Sequence, residues 1–99
     1  MDITLQYFDG CPNWRVADRR LVEAMELAGV SASVVVRRLV STPEEAEAVG
    51  FRGSPTVLID GVDPFADPDA PAGLSCRVYS TDAGVAGSPT VEQLLAVLR

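Results

Sequence analysis

Histidine and lysine are both missing from this chain, and cysteine occurs only twice. Without histidine, one chain cannot build a Cys-His couple, a histidine acid or base, or the usual zinc ligand sets. Two distant cysteines, Cys11 and Cys76, are too few for the disulfide framework of a secreted miniprotein. No apolar run approaches the length of a membrane span, and Met1 to Leu5 has neither the basic nor the apolar region of a signal peptide, so the expectation is a cytoplasmic protein with no membrane partner. Positive charge is also scarce. Eight arginines, Arg15, Arg19, Arg20, Arg37, Arg38, Arg52, Arg77 and Arg99, stand scattered against 14 acidic residues, leaving a net charge of −6. A polyphosphate would be repelled over most of that surface, which argues against nucleic acid as a partner.

What is present is a globular composition, 47% hydrophobic and 22% charged over 99 residues, read as a single domain spanning 1–99. Ile3 to Phe8 is rich in strand formers and stops at the turn pair Asp9-Gly10. Pro12 then suits a first helical turn. Apolar residues recur every three or four positions at Trp14, Ala17, Leu21, Ala24, Met25 and Ala28, up to a C-terminal cap at Gly29. Ser33 to Val40, with three consecutive valines, predicts a mostly buried second strand. Thr42-Pro43-Glu44-Glu45 is a capping box for a short helix ending at Gly50.

Pro55 to Asp60 reads as strand three, with proline tolerated at its first position. Residues 61–73, rich in proline and aspartate, predict a surface loop long enough to act as a binding lid. Its carboxylates, Asp63, Asp67 and Asp69 with Asp60 before them, lack the spacing of a calcium loop, and no metal site or cofactor is expected. Cys76 to Ser80 is read as an edge strand, and Ser88 or Thr90 caps a last helix over 91–98, with Gln93 completing a capping box if Thr90 is the cap. The fold class is therefore α/β, in the order β-α-β-α-β-β-α, with a four-stranded mixed sheet flanked by helices.

Cys11-Pro12-Asn13-Trp14 follows the first strand, and Ser54-Pro55-Thr56 precedes the third. In this order of elements, those two motifs resemble the thioredoxin-like superfamily over nearly the whole chain. The resemblance implies a thioredoxin-like fold, a cis bond before Pro55, and a substrate site made of Pro12, Trp14, Ser54, Pro55 and Thr56 around Cys11. One position departs from the pattern. Trp14 stands where the second cysteine of Cys-x-x-Cys belongs, which makes the chain similar to monothiol members.

A thiol at a helix N-terminus is poised to ionise, since the free N–H groups and the dipole stabilise the anion, and values of roughly 3.5 to 7.5 occur in such settings. Cys11 is thus the candidate catalytic nucleophile of a thiol–disulfide oxidoreductase or thiol transferase, acting on a thiol or disulfide substrate or a low-molecular-weight thiol. The alternative is a redox-inactive module that binds a peptide along the Pro55 groove. A third reading, capture of a soft metal ion by two thiolates, needs Cys76 close by. Cys76 is also the candidate resolving thiol. However, a fourth strand parallel to the first would leave it on the order of 13 to 17 Å from Cys11, beyond the ~4.4 to 6.8 Å between Cα atoms that a disulfide needs. Trp14, Phe65 and Tyr79 are read either as packing residues or as substrate contacts. Oligomeric state has no signature in the sequence.

Overall fold

The computed structural model describes residues 1–31, 34–66 and 69–98. Ser33 of the expected second strand, Asp67 and Pro68 of the expected lid, and Arg99 lie outside them. The chain runs β1 (Ile3–Tyr7), α1 (Asn13–Ala28), β2 (Val35–Leu39), α2 (Pro43–Val49), β3 (Thr56–Ile59), β4 (Tyr79–Thr81), β5 (Gly84–Ala86) and α3 (Val91–Leu98). The main sheet has the order β2-β1-β3, with β1 parallel to β2 and antiparallel to β3.

Alternation along β1 sends Ile3 and Leu5 to one face, where they pack with Val57 against Ala17, Leu21, Ala24 and Met25 of α1 and Leu94 and Leu98 of α3. Each large side chain buried there stabilises the fold by about 1.5 to 3 kcal/mol relative to exposure. A smaller cluster, Val40, Ala46 and Phe51 with Phe8 and Leu74 against it, anchors α2 beyond the ends of β1 and β2. The helix ends follow their local chemistry. Thr42 Oγ1 accepts from the Glu45 N–H at 3.1 Å, and Thr90 and Gln93 bond reciprocally at 2.9 and 3.1 Å. Gly29 and Gly50 close α1 and α2 in the left-handed region.

Two expectations are corrected. The four-stranded sheet is not formed: the sheet has three strands, and Tyr79–Thr81 instead pairs with Gly84–Ala86 in a separate two-stranded hairpin. The segment read as strand four splits, because Cys76 leaves as a single parallel bridge to Ser54 while Tyr79 turns into β4. The second strand forms within the expected range, over Val35–Leu39, but it is not buried. β2 is an edge strand with one neighbour, and Val36 on the face away from α1 is 54% exposed.

Candidate functional site

The chain leaves β1 through a turn in which the Cys11 N–H donates to the Phe8 carbonyl, at 3.3 Å. Pro12, exposed, then serves as the N-cap of α1 without a side-chain capping bond. Cys11 therefore lies two positions before the first residue of α1. Its sulfur does not turn to the N–H groups of the first turn: its hydrogen-bond partners are the Ser54 carbonyl, at 3.6 Å, and Cys76 Sγ, at 2.6 Å. Cys11 thus stands directly before the N-cap of α1, with its sulfur against the loop before β3.

Cys76 reaches Cys11 because its segment runs opposite to the expected direction. The Ser54 N–H donates to the Ser75 carbonyl and the Arg77 N–H to the Ser54 carbonyl, both at 2.8 Å, so residues 75–77 run parallel to the chain at Ser54. Since β3 is antiparallel to β1, the segment begins at the end of the sheet where β1 delivers Cys11. The expected separation, on the order of 13 to 17 Å, assumed a strand parallel to β1 and is wrong for that reason.

The Ser54–Pro55 bond is cis, as the resemblance implies. The Tyr79 hydroxyl donates to the Pro55 carbonyl, and burial holds that phenol well above its ordinary value, an effect Arg77 opposes and Asp63 reinforces. Thr56 Oγ1 donates to the Gly53 carbonyl at 2.7 Å and accepts from Arg77 Nη1 at 3.2 Å. Ser54 Oγ is buried with no hydrogen-bond partner among the described residues.

Of the residues named from the sequence, Cys11, Ser54 and Cys76 thus converge on one another, with Pro55 and Thr56 continuing from Ser54. Trp14 instead stacks on Tyr7, with ring centroids 4.2 Å apart, and Arg15 lies over its ring. That is packing. Phe65 and Tyr79 meet edge to face at 5.7 Å, and Phe65 also borders a cavity of about 210 Å³ alongside Arg52, Pro71, Cys76 and Val78. Arg77 was missed as a site residue; its place next to the second cysteine was the available signal.

Both cysteines are unbonded thiols, Cys11 buried and Cys76 exposed. The Cys76 thiol is pushed above its ordinary value, chiefly by the hydrogen bond it shares with Cys11, with desolvation and the Cys11 charge adding to it. Two thiolates sharing a tetrahedral metal at ~2.3 Å each would stand ~3.8 Å apart, wider than this pair. Among the described residues no group of three or more metal-binding side chains occurs, and no helix is long and apolar enough to cross a membrane. Compared with known protein families, curated proteins and solved structures, the chain matches none.

Proposed function

We propose that the chain is a thiol–disulfide oxidoreductase of the thioredoxin-like kind, working with the thiol pair Cys11 and Cys76. The observation that carries this reading is the 2.6 Å approach of the two sulfurs across the loop before Pro55. In the reduced protein the pair holds two electrons and two protons. Passing them to a disulfide leaves two substrate thiols and a Cys11–Cys76 disulfide, which an external thiol reduces again. The single-thiol cycle suggested by Cys-x-x-Trp has less support, because Cys76 already occupies the approach to Cys11. The peptide-binding alternative is weakened too, since the Ser54 N–H and carbonyl are both engaged by the chain itself.

The test is equilibration of the protein with mixtures of reduced and oxidised glutathione, followed by alkylation and mass spectrometry. The expected result is one two-electron transition, in which both cysteines become protected together and the chain loses two hydrogens. Separate glutathionylation of the two cysteines, with no internal disulfide at any ratio, sinks the reading.

A further inference from the structure

Cys11 has 0% of its surface exposed, whereas Cys76 is exposed. Disulfide exchange requires the attacking sulfur to reach the sulfur it displaces, and access is one of its controls. The shielded sulfur cannot make the first contact with an outside molecule. Its flank at Ser54 is also closed, because the Ser75 carbonyl and the Arg77 N–H take both backbone groups with which an extended peptide would pair. Residues 75–77 run parallel to the chain at Ser54 and hold Cys76 against Cys11.

What remains open is the outer side of Cys76. There the cavity of about 210 Å³ is walled by Arg52, Phe65, Pro71, Ser75 and Val78. A space of that size lies below the usual range for a drug-sized ligand and fits one half of a small disulfide beside Cys76.

Building on the two-thiol reading, we infer that Cys76 is the attacking thiol and Cys11 the resolving one, and that the substrates are low-molecular-weight disulfides seated in this cavity. The Cys76 thiolate attacks one sulfur of R–S–S–R, forms Cys76–S–S–R and expels R–S⁻, which takes up a proton. Cys11, having lost its own proton, then attacks Cys76 Sγ. The Cys11–Cys76 bond forms, the bond to the second R–S breaks, and that thiolate is protonated in turn. Two equivalents of a second low-molecular-weight thiol, R′–SH, then reduce the Cys11–Cys76 bond through a mixed disulfide and leave as R′–S–S–R′, closing the cycle.

Oxidised glutathione is the probe. In Cys11→Ser, which removes the thiol bond that raises Cys76, the mixed disulfide at the exposed Cys76 accumulates faster than the one at the buried Cys11 in Cys76→Ser. In the wild-type protein under limiting iodoacetamide, the first label maps to Cys76, a readout that no substitution can distort. A first label on Cys11, or faster trapping there, overturns the order of attack. A disulfide-linked dimer of a bulky peptide reacts more slowly than oxidised glutathione, and equal rates overturn the assignment of substrate class. Failure of the internal disulfide to form in the wild type is a separate result: it removes the two-thiol reading itself.

Discussion

Arg77 and Asp63 meet with Nη1 2.6 Å from Oδ2, both side chains largely withdrawn from solvent. The same guanidinium donates to Thr56 Oγ1 at 3.2 Å and to the Phe65 carbonyl. One side chain therefore fastens the loop after β3 to the strand that follows Pro55, and it belongs to the residue next to the exposed thiol.

Removing that clasp is expected to loosen the thiol pair as well as the fold. Arg77→Ala leaves the Asp63 carboxylate without its cation and should cost about 2 kcal/mol, read from urea denaturation of the reduced protein. Formation of the Cys11–Cys76 disulfide should slow in the same variant. Arg77→Lys should restore little, because an ammonium cannot span the fork of acceptors that the planar guanidinium holds.

Gly53 is the second point of control. Its φ of +120° lies where side chains are strained, and a Cβ there would stand 2.9 Å from Arg77 Cβ and 3.3 Å from its Cα and N. Gly53→Ala is expected to destabilise the fold by about 1 to 3 kcal/mol. It should also push residues 75–77 off Ser54, which hydrogen exchange at the Arg77 amide reads directly: the wild-type amide is protected, and the variant's exchanges faster.

The largest cause of the raised Cys76 thiol is its bond to Cys11. Its alkylation rate should therefore climb at higher pH in the wild type than in Cys11→Ala, where the profile falls back toward that of an ordinary thiol. The sign for stability follows from the same shift. A thiol held above its ordinary value favours the fold while protonated, so the contribution is complete below the ordinary thiol range and fades as pH rises through the raised value. The groups lining the cavity beside it, Arg52, Asp63 and Arg77, are the same in both proteins. Superimposable profiles would contradict the coupling.

Oxidation should stiffen the molecule. A bond between Cys11 and Cys76 closes most of the chain and stabilises the fold by about 4 kcal/mol in the chain-entropy account. For a domain of this size that raises Tm by more than about 15 °C. Scanning calorimetry with and without reductant checks it, and Cys76→Ser should show no difference between the two conditions.

Much of the architecture could be read from local chemistry. The period of Ala17, Leu21, Ala24 and Met25 marks the buried side of α1, and the hydroxyls of Thr42 and Thr90 mark where α2 and α3 begin. What escaped was decided by tertiary partners. Val34, Val35 and Val36 look like a buried run, yet β2 has a single neighbour. Gly84–Ala86 carries few strand formers and pairs through a tight turn at Asp82 and Ala83. Of the candidate site, Cys11 and Ser54 could be found from their motifs. The approach of Cys76 could not, because it depends on the direction in which residues 75–77 run, and nothing in Ser-Cys-Arg-Val encodes direction.

The pairing of residues 75–77 with Ser54 also decides how the protein could be blocked chemically. A peptidomimetic laid along the third strand would have to evict a stretch of the chain's own backbone and lose that exchange in free energy. A compact electrophile entering from the Phe65 side meets a sulfur at once and displaces nothing, so small covalent fragments, screened by intact mass, are expected to label Cys76.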